Sequence, residues 1–140
     1  MLDDISNLLE QAKELYPGKP VFLYGHSMGG NLVLNHVLRR KPTITGLIST
    51  APWIRLPNPP SKLKVAFAKL ANHVLPKMTQ PNELDVNGLS NDKAVIEAYQ
   101  NDQLVHDRIS VRMGVDLLNG AKFLDEYSGP IPCPTLLMHG

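Results

Sequence analysis

Gly25-His26-Ser27-Met28-Gly29 decides how the rest of this chain is read. The stretch fits the pattern G-x-S-x-G, and its two flanks differ in kind. Val21-Phe22-Leu23-Tyr24 before it is a short apolar run that favours a strand. Asn31-Leu32-Val33-Leu34-Asn35-His36-Val37-Leu38 after it can wind as a helix. Strand, corner and helix together form the setting in which a serine hydroxyl is held exposed on a tight, strained turn. Gly25 and Gly29 are expected to leave space beside that turn, and Gly30 to leave space where the helix approaches the sheet. The first amides of a helix have no intrahelical partner, so the Met28 N–H is placed to donate to a developing oxyanion. A plainer reading is a glycine-rich turn of an ordinary parallel sheet, with Ser27 serving only as a helix cap.

Working outward, Leu2, Ile5, Leu8, Leu9, Ala12 and Leu15 recur at helical spacing, which predicts an amphipathic helix over 2–16, ended by Pro17-Gly18. A strand over 20–25, a helix over 28–40 and a strand over 43–50 then make a right-handed βαβ unit with parallel strands. Arg39-Arg40-Lys41 reads as cations on the last helical turn before Pro42. After this the pattern changes. Prolines at 52, 57, 59 and 60 mark a linker. Ser61 caps a helix with Leu63, Phe67, Leu70 and Val74 on one face, and Pro76 follows it. Residues 77–90 read as a loop with a turn at Asn87-Gly88. Asn91 caps a short helix carrying Val95, Ile96 and Tyr99. Ser110 caps a longer one reaching about Tyr127, although Gly114 and Gly120 lie inside it. Thr135-Leu136-Leu137-Met138-His139 is a last strand, and the expected spatial order is 20–25, 45–50, 135–139. The fold class is therefore α/β, a parallel sheet flanked by helices. The segments are a core over 1–52, a helical lid over 53–110 at the C-terminal edge of the strands, and a return helix with the next core strand over 111–140.

A net charge of +1 argues against nucleic acid as a partner. One cysteine, Cys133, excludes an internal disulfide and reads as a small packed hydrophobe. No H-E-x-x-H or C-x-x-C motif suggests a metal, and no cofactor is expected. The acidic Asp3-Asp4 directly after Leu2 is unlike a secretory leader, and no apolar run reaches membrane-spanning length. A cytoplasmic location, with peripheral membrane contact, is expected.

These residues resemble the α/β-hydrolase superfamily, and within it the group of monoacylglycerol lipases, lysophospholipases and serine aminopeptidase-like hydrolases. The resemblance is carried by residues 21–30, then Ser49-Thr50-Ala51-Pro52, then Leu75-Pro76, Leu89-Ser90, Ala98-Tyr99 and Asn101-Asp102-Gln103-Leu104-Val105-His106, and finally Pro134-Thr135-Leu136-Leu137-Met138-His139-Gly140. In that family the last of these strands is followed by a catalytic aspartate, and the histidine comes after one more strand. The 140 residues stop at Gly140, where the aspartate would be due, so the chain reads as the central part of a family member.

The resemblance implies a serine hydrolase that cleaves carboxylic esters of monoacylglycerols or lysophospholipids. Ser27 would be the nucleophile of an acyl-enzyme and the Met28 N–H an oxyanion donor. His26 and Tyr99 would contact substrate, and the lid would face a lipid ester and a lipid surface. Asp85, Asp92, Asp102, Asp107, Asp116 and Asp125 lie in the lid or its return helix. His36, His73, His106 and His139 read as packing or surface groups. No acid or base is assigned within the chain, so the 140 residues by themselves are expected to be inactive. Two rival functions stand beside this one: a non-catalytic lipid- or partner-binding domain on the same scaffold, and a peptidase or other esterase.

Overall fold

The computed structural model describes residues 1–55, 59–82 and 84–139. Pro57, in the expected linker, and Gly140, closing the last motif, lie outside the described residues. The chain forms two compact units, residues 1–60 with 116–140 and residues 61–115.

In the first unit α1 (Leu2–Leu15) leads into β1 (Phe22–His26), α2 (Met28–Arg40) and β2 (Gly46–Thr50), and β5 (Thr135–Met138) completes a three-stranded sheet in the order β1-β2-β5. Both pairings are parallel, with Leu23 opposite Leu47 and Ile48 opposite Leu136. Leu9, Leu23, Val33, Leu34, Val37 and Leu47 form one buried cluster, with Ile5, Val21, Ile44, Leu124 and Cys133 packed against it. The cluster joins α1 and α2 to one face of the sheet. Along β1 the burial alternates, so Leu23 and Gly25 face this core while Phe22, Tyr24 and His26 are exposed.

The helical repeat in α1 only partly predicts burial. Leu9 is buried, but Leu8 and Leu15 are 59% and 72% exposed. The basic trio at the end of α2 has more specific partners than the helix dipole. Arg40 pairs with Asp3 at 2.6 Å, Arg39 lies 3.8 Å above the Phe123 ring, and Lys41 takes the left-handed C-cap conformation.

The second unit contains α3 (Lys62–Val74), β3 (Thr79–Pro81), a 3-10 turn (Val86–Gly88), α4 (Lys93–Asn101), β4 (Arg108–Ser110) and the first turn of α5 (Val111–Glu126). Ser61 caps α3 by accepting the Lys64 N–H at 3.2 Å, and Ser110 accepts the Met113 N–H at 3.2 Å. Two expectations need correction. Asp92, not Asn91, caps α4, because its carboxylate accepts the Ala94 N–H at 2.9 Å. Residues 77–90 are also more than a loop, since Thr79–Pro81 pairs antiparallel with Arg108–Ser110. This pair is not a hairpin, because a 3-10 turn and α4 lie between its strands.

Candidate active site

Ser27 is the single residue between β1 and α2, at φ 51° and ψ −115°. A non-glycine residue in such a region costs about 1–3 kcal/mol and persists only where its surroundings impose it. Here three hydrogen bonds do so. The Ser27 N–H donates to the Thr50 carbonyl at 2.9 Å, and the Ser27 carbonyl accepts the Asn31 N–H and the Trp53 N–H, both at 3.1 Å. The chain leaves β2 through Ala51, itself at φ 42°, whose N–H donates to the Met138 carbonyl at 2.7 Å. Residues just past β2 are thereby folded back over the Ser27 turn.

The glycines play unequal parts. A Cβ on Gly25 would lie 2.3 Å from the Gly29 carbonyl oxygen and 2.7 Å from Val33 Cγ2. One on Gly30 would lie 2.8 Å from Ser49 Oγ and 3.0 Å from Pro52 Cα, so helix and sheet meet there at backbone distance. Gly29 is different: a Cβ there meets no described atom within 4 Å. The crowding expected on both sides of the serine falls on Gly25, and Gly29 contributes its backbone to it.

Ser27 sits at the N-cap position, yet its side chain makes no capping hydrogen bond. The capping bond that the plainer reading of the motif calls for is therefore not formed. The first intrahelical bond is Asn31 N–H to Ser27 O, so the amides of Met28, Gly29 and Gly30 come before the ladder begins. They lie at the positive end of α2, directly after the exposed Ser27. His26 is also exposed, with Nδ1 2.9 Å from Thr50 Oγ1, and Tyr24 Oη is 3.2 Å from the same oxygen. Thr50 therefore meets the site twice, through its carbonyl and its hydroxyl. Nothing in its sequence position within β2 announces this, because both contacts depend on strand register.

Ser27, Met28 and His26 are brought together in the first unit, while Tyr99 belongs to the second. There Tyr99 is half-buried and lines a cleft of about 200 Å³ with Leu84, Val86, Val105 and His106. Several of the aspartates are occupied locally. Asp85, Asp92 and Asp102 accept backbone N–H groups two residues on, and Asp125 pairs with Arg55. His36 is buried on α2 with Nε2 2.9 Å from Ser6 Oγ. Burial holds its pKa below the ordinary value, the nearby Arg40 cation adds to this, and Asp3 opposes it. Among the described residues no cluster of histidine, cysteine, aspartate or glutamate could hold a metal ion, and no helix is long and apolar enough to cross a membrane.

A parallel sheet, a strained serine between strand and helix, and a helix packed on the sheet place this chain in the α/β-hydrolase fold class. Comparison with known proteins narrows the class. The family profile described as serine aminopeptidase, S33, matches residues 1–140, and the chain belongs to that family. The monoglyceride lipase of Rattus norvegicus is 35% identical over 140 residues, covering 98% of this chain and 46% of its own length. Among solved structures, the monoacylglycerol lipase of Paleococcus ferrophilus matches with a TM-score of 0.85 at 28% identity, over 99% of this chain and 54% of that one. A soluble variant of monoglyceride lipase from Saccharomyces cerevisiae, in complex with a substrate analog, matches with a TM-score of 0.80 at 27% identity, over 99% and 50%. The chain thus spans about half the length of these relatives.

Proposed function

We propose that the protein is a serine hydrolase of lipid esters and that Ser27 is its nucleophile. The observation that carries this is the Ser27 backbone, a strained non-glycine residue at φ 51° whose hydroxyl does no capping work. The turn is read as a nucleophile elbow. Ser27 Oγ attacks the ester carbonyl carbon, its proton passes to a base and then to the departing alcohol, and the acyl group stays on Oγ until water releases it. The Met28 N–H donates to the carbonyl oxygen as negative charge gathers there. In the family's order of nucleophile, acid and base, the acid and base follow Ser27 in sequence.

Monoacylglycerol or lysophospholipid is the proposed substrate class, in keeping with the lipases named above. His26, held by Thr50, and Tyr99, from the helical lid, are read as head-group contacts. The face of α3 that exposes Leu63, Phe67 and Leu70 suits an acyl chain or a lipid surface, which makes peripheral membrane contact part of the proposal.

The test is labelling of the full-length protein with a fluorophosphonate probe, followed by a panel of ester and amide substrates. Labelling that Ser27→Ala abolishes, with turnover of monoacylglycerols or lysophospholipids, is expected. Absence of labelling would instead favour a non-catalytic binding domain, and preference for amides would favour a peptidase.

A further inference from the structure

Asn31, Asn35 and Arg39 follow one another at i, i+4 along α2 and so stack on one face of the helix. Asn31 and Asn35 are only 1% and 3% exposed. Amides buried so deeply need partners, and these find them in each other. Asn35 Nδ2 donates to Asn31 Oδ1 at 3.1 Å, to the Asn31 carbonyl at 3.0 Å and to the Gly120 carbonyl at 3.2 Å. Arg39 Nε donates to Asn35 Oδ1 at 3.0 Å. Close approach is possible because position 120 has no side chain, and a Cβ there would lie 2.9 Å from Asn31 Oδ1.

This polar row has a far end. Asn31 Nδ2 donates to the Trp53 carbonyl at 2.7 Å, and the Trp53 N–H donates to the Ser27 carbonyl at 3.1 Å. The row therefore runs from Arg39 to the backbone of the proposed nucleophile. Ala51 at φ 42° precedes this tether, so the segment it holds is itself in an unfavourable conformation.

We propose that Asn31 is a positioning residue for Ser27. Its side-chain amide holds the Trp53 carbonyl and so fixes the residue whose own N–H, in the preceding peptide, supplies the second donor to the Ser27 carbonyl and keeps the serine at its strained dihedrals. The proposal rests on the reading of Ser27 as a nucleophile. Loss of the amide would free the Trp53 carbonyl, loosen the residue that donates to Ser27, let the Ser27 backbone relax, and move Oγ away from its line of attack.

The test compares Asn31→Ala with Asn35→Ala in the full-length protein. The second variant breaks the same row one helical turn further from Trp53. Two quantities are read: hydrogen exchange at the Trp53 amide, and the rate of fluorophosphonate labelling at Ser27. Asn31→Ala is expected to speed exchange and slow labelling, each roughly tenfold, since small misplacements of a reacting group carry penalties of that order or more. Asn35→Ala is expected to change either by no more than about threefold. If Asn31→Ala does not fold, Asn31→Asp replaces it, because it keeps the acceptor and loses the N–H donor. Unchanged exchange and labelling in the Asn31 variant, or equal changes in both variants, overturns the proposal. Faster exchange in a protein whose wild type never labels sustains the tether and overturns the nucleophile reading instead.

Discussion

The unit of residues 1–60 and 116–140 and the unit of residues 61–115 hold their shapes by different means. The first buries an apolar cluster between helices and sheet and threads a row of asparagines beside it. In the second, α3 and α4 contain no buried residue, and short-range caps from Ser61, Asp85, Asp92 and Ser110 do much of the local work. Packing fixes a geometry to fractions of an ångström, whereas caps fix only where a helix starts. The proposed chemistry lies where packing rules, and the proposed contact with lipid lies where apolar side chains stay exposed.

The sharpest way to break this contrast is at Gly25. Gly25→Ala would drive a Cβ into the Gly29 carbonyl, and is expected to cost about 3 kcal/mol or more and to abolish probe labelling. Gly29→Ala, in open space, is expected to stay within about 0.5 kcal/mol. Urea unfolding of the two variants checks both values.

A matched pair of leucines compares the units directly. Leu47 is 1% exposed and Leu70 is 65% exposed. Leu47→Ala is expected to cost about 2–5 kcal/mol by loss of burial and creation of a cavity. Leu70→Ala is expected to change stability by less than about 0.5 kcal/mol, while weakening binding to lipid vesicles. A large loss of stability in the Leu70 variant would show that the α3 face is covered in the whole protein.

Ser61→Ala removes a cap and is expected to cost about 1 kcal/mol, read as faster amide exchange confined to the first turn of α3.

The smallest effect concerns pH. The folded state keeps His36 neutral to a lower pH than the unfolded chain does, whose histidine titrates near about 6.5. The unfolded state therefore binds more protons just below that pH. Stability is full above about pH 6.5 and declines as pH falls toward the lowered folded value. Thermal melts between pH 7.5 and about pH 5 should show the decline, and His36→Gln should flatten it.

The βαβ core was legible because each of its signals is local: Gly25 to Gly30 for the turn, the apolar runs for the strands, and Pro42 and Lys41 for the end of α2. The pairing of Thr79–Pro81 with Arg108–Ser110 was not legible, since three residues containing a proline carry no alternation to read. At the start of α4, Asn91 and Asp92 are both good caps, and only helix register chooses between them. In α1 the leucines keep their period, but Leu8 and Leu15 stay in solvent because periodicity says which residues share a face and not what covers it. In the candidate site, Ser27 and His26 came from the motif. Thr50 and Trp53 did not, because their contacts join residues more than twenty positions apart. Asn31 and Asn35 left a faint trace as two amides four apart among the apolar residues Leu32, Val33, Leu34, Val37 and Leu38.

The bonds that hold the Ser27 backbone have a consequence for how the chain matures. One is local, from Asn31, but the others come from Thr50, the last residue of β2, and from Trp53 beyond it. The serine corner cannot close when its own residues are made; it must wait for the returning strand to dock. Synthesis proceeds from the N-terminus at about 5–20 residues per second, so Ser27 exists for seconds as a relaxed, ordinary loop residue before its partners emerge. On the proposed reading of Ser27, its reactivity would switch on only as β2 settles beside β1, and a nascent chain arrested before Trp53 would carry the motif without its strained backbone.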